Sequence, residues 1–168
     1  MKYKVVKKQD ISKYCFVCGT DNDESLKTKF YELENDELLS ISTPTPTHQS
    51  YPDRVHGGIV SSVLDEAIGR AIMIPEPDAW GVTVELNVKY KKPVPLDKPI
   101  RTIARITRNT RLLFEGTGEI ILEDGSVAAE GHAKYVKIKI EKLVKDMGDD
   151  NTLMMEDTSE APSEVEIP

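Results

Sequence analysis

No apolar run in the 168-residue sequence approaches the roughly 20 residues that a membrane-spanning helix needs, so no membrane partner is expected. The start, MKYKVVKKQD, lacks the apolar core of a secretory signal, and the expected location is cytoplasmic. Only two cysteines occur, Cys15 and Cys18 in one CFVC pair, which excludes a disulfide framework. A structural zinc site takes four ligands, and neither a second cysteine pair nor a closely spaced histidine pair accompanies them; the histidines are His48, His56 and His132. A metal would therefore require two chains to share it. A redox disulfide would call for a βαβ setting that this region does not show, so packed structural thiols are the expectation and no metal or cofactor is assigned. There is no glycine-rich phosphate loop either.

Net positive charge is also missing. The formal charge is -7, yet from Asp146 onward there are eight acidic residues and no Lys or Arg. Over residues 1–145, 22 basic residues face 21 acidic ones, a balance of +1 that argues against general nucleic-acid affinity. The acidic stretch, residues 146–168, has no aromatics and no hydrophobic period, so it is expected to lack order; an acidic arm for a basic partner is the alternative. The expected division is an N-terminal segment with the CxxC pair (1–25), one folded domain (26–145) and this tail. Hydrophobic content of 39% suits a globular core.

Within the domain, residues 26–33 and 37–43 read as two strands joined by a turn at ENDE. TPTPTHQSYPDR reads as connection with little to pack. A helix is predicted from Gly57 or Gly58 to Ile74, stopped by Pro75 and Pro77. In VTVELNVKYKKPV the period becomes two, with Val82, Val84, Leu86 and Val88 on one face and Thr83, Glu85, Asn87 and Lys89 on the other. Three more strands follow, the last two joined at EDGS, and the four long strands read as an antiparallel meander. One helix beside one sheet, an α+β arrangement, leaves a helix side to be covered, most economically by a second copy.

Val60, Val63, Leu64, Ala67, Ile68, Ala71 and Ile72 form the apolar stripe of this helix; Ser61, Ser62, Asp65, Glu66 and Gly69 form the other. Glu66 has Arg70 at i+4 and fits a solvated charge pair. Asp65 has no basic residue within a turn and is a poor helix-interior residue, which makes it the candidate for chemistry. Gly69 costs about 1 kcal/mol of helix propensity relative to Ala and clears space one turn away. Gly57 and Gly58, at the helix start, could present free N–H groups to a carbonyl oxygen. Asp65 lies about 12 Å from Gly57 along the axis, too far for both to touch one carbonyl carbon. If they cooperate, they come from two chains of a symmetric dimer.

VHGGIVSSVLDEAIGRA, together with VTVELNVKYKKPVP and the leading CFVCG, resembles the hotdog-fold thioesterases, in particular the PaaI-like acyl-CoA thioesterase group of the 4-hydroxybenzoyl-CoA thioesterase superfamily. The resemblance spans about residues 12–140. It implies a hotdog fold, an antiparallel sheet wrapped around one long helix, in homodimers and dimers of dimers. It implies hydrolysis of acyl-CoA, with Asp65 as general base or nucleophile, the Gly57 N–H (with Gly58 adjacent) polarising the carbonyl from the other subunit, and Thr83 holding the water. Where several members carry an asparagine before HGG, this chain offers Gln49 or Ser50. His56 would shape the turn, with an acid–base role as the alternative. Lys89, Lys91, Lys92, Arg108 and Arg111 are the candidates to meet CoA phosphates. Two other functions fit the same residues: an acyl-CoA binder without turnover, and a hotdog dehydratase or hydratase using His56.

Overall fold

Strand-forming segments dominate the described residues, and one long amphipathic helix lies across the sheet they build. The computed structural model describes residues 1–139, 141, 142, 145 and 156–168. The elements in chain order are β1 (Lys2–Lys8), β2 (Lys29–Leu33), β3 (Leu38–Ser42), α1 (Gly57–Arg70), β4 (Ala79–Tyr90), β5 (Ile100–Asn109), β6 (Leu113–Ile121), β7 (Val127–Lys139) and β8 (Glu164–Glu166). They form one antiparallel sheet in the order β4-β7-β6-β5-β3-β2-β1-β8. The two predicted hairpins are present, β2–β3 turning at Asp36 (φ 62°) and β6–β7 at Gly125 (φ 78°).

All seven residues of the predicted apolar stripe are buried, and they form the centre of the main core with Phe30, Leu38, Ala104, Phe114, Ile120, Ala133 and Tyr135. Helix and sheet approach closely because the strands beneath carry glycine: a Cβ on Gly116 would lie 2.7 Å from Ile68 Cγ2.

Several expectations change. The helix ends at Arg70 rather than Ile74, and a 3₁₀ turn, Ala71–Met73, carries the chain to Pro75; the Ile74 N–H bonds Ala71 O, tightening the last turn ahead of a residue that cannot continue it. The meander holds for β5, β6 and β7 only. β4 pairs with β7, because the helix has carried the chain across the sheet and the proline-rich connection 91–99 brings it back beside β3. The supposed bare loop contains a 3₁₀ turn, Pro46–His48, with His48 buried and held between Thr45 N–H and Glu24 O.

The ends of the chain differ most. β1 extends the sheet beyond the predicted strands. In the acidic tail, residues 146–155 lie outside the described residues, whereas Glu164–Glu166 pair with β1. Alternation explains this short strand: Val165 and Ile167 are buried with Tyr31, Leu33, Leu39 and Ile103 in a second cluster, and the intervening acids face solvent. Lys8 pairs with Asp157 at 2.6 Å and secures the approach.

β4 carries the change that matters for function. Its register with β7 runs Val82↔Val136, Thr83↔Tyr135, then Glu85↔Lys134 and Leu86↔Ala133, so Val84 is an extra residue in a bulge. Strict alternation puts Thr83 with Glu85 and Lys89, opposite Leu86; the bulge moves Thr83 to the helix side with Leu86 and Val88. Val82 and Val84 are left exposed. β4 is also an edge strand, with no partner on its far side among the described residues.

Candidate active site

At the start of α1, His56 is the N-cap, and its Nδ1 accepts the Gly58 N–H at 2.9 Å. One helix-start amide is thereby used. The Gly57 N–H has no acceptor among the described residues, while the Gly57 carbonyl accepts from Tyr90 OH at 3.0 Å. Tyr90 also shares a 2.6 Å hydrogen bond with Ser61 Oγ. Of the two glycines, Gly57 is the one whose amide remains available, at the positive end of the helix dipole. His56 acts as a cap, in keeping with a turn-shaping role.

Around Gly57 is a cleft of about 290 Å³ lined by Arg54, Val60, Tyr90, Lys91, Lys92 and neighbouring residues. Lys91 and Lys92 therefore reach the helix start, with Lys91 paired to Glu130. Lys89 does not: it lines a separate hollow with Asn87, Thr117 and His132. Arg108 is exposed and paired with Glu115 at 3.3 Å, and Arg111 lines a pocket with Glu76 and Lys137, apart from both ends of the site. Gln49 bridges to Val55 beside the helix start, but its Oε1 accepts the Asp53 N–H at 3.4 Å; Ser50 is exposed in the same loop.

Two turns along the helix, Asp65 faces a different pocket of about 180 Å³, lined by Glu66, Gly69, Arg70, Met73, Trp80, Gly81, Thr83 and Tyr135. Asp65 Oδ1 accepts from Thr83 Oγ1 at 2.9 Å and from Tyr135 OH at 3.0 Å; Tyr135 is also 2.8 Å from the Asp65 carbonyl. Oδ2 accepts no hydrogen bond among the described residues. Burial, and then the neighbouring Asp65 charge, push the Tyr135 phenol well above its ordinary range, so it stays a donor. Its ring stacks on Phe114 with centroids 4.8 Å apart. Two glycines admit it: a Cβ on Gly69 would lie 3.2 Å from Tyr135 Cε1, and one on Gly81 would lie 2.6 Å from Phe114 Cζ. The space expected beside Gly69 is filled by Tyr135, which sequence reading had not singled out. Its inward parity with Gly131 and Ala133 in β7 and the glycine one helical turn from Asp65 were the available signals.

Glu66 is not a solvated partner of an exposed arginine. Arg70 is buried and donates to Glu66 at 2.7 Å, to Asp10 O at 2.7 Å and to Cys18 Sγ at 3.3 Å, with its guanidinium over Phe30. Burial works against the Arg70 charge, and Glu66 together with the two cysteines more than restores it. Both cysteines are free. The Cys18 thiol donates toward Cys15, lowering Cys15 to about 7, while that bond and burial push Cys18 up.

One long helix wrapped by an antiparallel sheet defines the hotdog class. Residues 53–129 match the family model of the thioesterase superfamily. An acyl-coenzyme A thioesterase of Mus musculus is 26% identical over 67% of this chain and 48% of its own. The PaaI protein of E. coli superposes with a TM-score of 0.61 at 16% identity, covering 67% of this chain and 80% of its own. A Bacillus halodurans protein solved with CoA gives 0.55 at 27% identity over 60% of this chain and 66% of its own. The chain spans from about half to just under two thirds of the length of the curated relatives it matches.

Proposed function

We propose that the protein is an acyl-CoA thioesterase whose site is shared between two copies of the chain. The observation that carries this is the division of the machinery: the free Gly57 N–H and the doubly held Asp65 carboxylate belong to one helix, line different pockets, and stand about 12 Å apart along its axis. Antiparallel addition of a second copy at the unpaired β4 edge would bring the helix start of one chain toward Asp65 of the other.

In such a site the thioester oxygen accepts the Gly57 N–H, which stabilises its developing negative charge. Asp65 of the second copy takes a proton from water at Oδ2, and the hydroxide adds to the carbonyl carbon. The C–S bond then breaks and the thiolate leaves as CoA after taking up a proton, with the free acid as the other product. Thr83 donates a hydrogen bond to Asp65 Oδ1 and keeps lone pairs for the attacking water. Lys91 and Lys92, beside Gly57, suit the phosphates of CoA. The CoA-bound relative supports the same ligand class.

The test is thiol release from a panel of acyl-CoA esters. Asp65→Asn should lose roughly 10²–10⁴-fold in turnover with an unchanged melting transition. Unchanged turnover would remove Asp65 from the mechanism, and ligand protection without thiol release from the unaltered protein would make the chain an acyl-CoA binder.

A further inference from the structure

We infer that Cys15, Cys18 and Glu66 form a metal site within a single chain, with the chemistry of a Zn²⁺ site. Sequence alone allowed a metal only if two chains shared the cysteine pair. The tertiary structure supplies a third ligand from the central helix: the two sulfurs and a Glu66 carboxylate oxygen all lie within 4.8 Å of one another. Zinc–sulfur bonds of about 2.3 Å put tetrahedral ligands roughly 3.5–4 Å apart, so the cluster needs to tighten by at most about an ångström.

Each sulfur already accepts hydrogen bonds from nearby donors. Cys15 Sγ accepts the Val17 N–H at 3.3 Å, and Cys18 Sγ accepts the Ser12 N–H at 3.5 Å and Arg70 Nη2 at 3.3 Å. A thiol is a weak acceptor, whereas a metal-bound thiolate is commonly supported by such donors. The knuckle is held by its own backbone, with the Gly19 N–H on Cys15 O at 2.8 Å; a Cβ at Gly19 would lie 2.5 Å from that oxygen. Lys27 Nζ caps the turn through Gly19 O, Thr20 O and Asn22 O.

Charge closes around a divalent ion. Two thiolates and a carboxylate leave a zinc complex at −1, and the buried Arg70 guanidinium, bonded to Glu66 and Cys18, brings the group to zero. Sulfur ligands select against Mg²⁺ and Ca²⁺, and the carboxylate selects against Cu(I), which leaves zinc-like divalent ions. The fourth position falls to water. Bound there, the ion would tie the segment between β1 and β2 to α1 at the residue next to Asp65.

Metal uptake by the reduced full-length protein tests this without reference to turnover, so its failure and that of the thioesterase reading are distinguishable. Co²⁺ titration should saturate at one ion per chain with a sulfur-to-cobalt charge-transfer band. Zn²⁺ should raise the melting temperature and a chelator should reverse the shift. Cys15→Ser and Cys18→Ser should abolish both signals, and Glu66→Gln should weaken binding at least tenfold. Cys15 is only half-buried, so Cys15→Ser should melt like metal-free protein, which controls for misfolding. No uptake by protein whose two thiols are shown to be reduced by alkylation after unfolding, or one ion per two chains with affinity unchanged in Glu66→Gln, would overturn the site.

Discussion

Thr83 and Tyr135, from adjacent strands, donate to the same oxygen of Asp65, at 2.9 Å and 3.0 Å. Tyr135 is thus a positioning residue, anchored to the Asp65 carbonyl as well. A hydrogen bond to a charged group is worth about 1.5–3 kcal/mol, so Tyr135→Phe should lower kcat roughly 10–100-fold and leave KM nearly unchanged. Gly69→Ala separates position from stability. The helix gains about 1 kcal/mol of propensity, but the new methyl lies 3.2 Å from a ring that Phe114 holds in place. Thermal melts should show little net change while kcat falls as in Tyr135→Phe.

The free amide of Gly57 can be removed with little else disturbed. Proline is tolerated at the first helical position, and the residue before it, His56, is already extended. Gly57→Pro should therefore fold and lose about 10²–10³-fold in kcat. Mixing it with Asp65→Asn, after subunit exchange, tests the shared site. Each mixed dimer would regain one intact site, so up to about a quarter of full activity should return under random pairing. No recovery would place both groups in one chain's site.

Lys91→Ala and Lys92→Ala should raise KM for CoA esters about 3–10-fold, with the effect shrinking at high salt. Lys89→Ala and Arg108→Ala should leave KM unchanged, because these side chains lie away from the Gly57 cleft. Steady-state kinetics at two ionic strengths distinguishes the pairs.

Acid should loosen the C-terminal strand. Partial burial disfavours the Asp157 charge, but Lys8 and Ser159 more than compensate and hold its pKa below the usual carboxylate range. Because the folded value is the lower one, this contribution is fully present above the ordinary unfolded pKa near 4 and is lost as pH falls through the folded value. Hydrogen exchange or limited proteolysis of residues 156–168 should stay constant from pH 7 to 5 and rise below pH 4. Lys8→Ala should show the faster exchange already at pH 7.

Sequence by itself determined the apolar stripe from Val60 to Ile72, the turns at Asp36 and Gly125, and the distinction between Asp65 and Glu66. Each of these rests on local spacing or backbone preference, which a linear pattern records. Thr83 could be named by resemblance, but alternation put it on the wrong face. A bulge adds one residue without any mark in the pattern, and only pairing with β7 reveals that Val84 is the extra one. Tyr135 and the Cys15–Cys18–Glu66 cluster were hidden for a related reason. Their partners are separated by 70 and about 50 residues of chain, and proximity across that distance is set by how the helix packs on the sheet. Val165 and Ile167 looked too sparse to order an acidic tail; a strand edge at β1 and an uncovered apolar patch gave them somewhere to pack. Local chemistry chose the elements of this protein, and long-range packing chose which side chains meet.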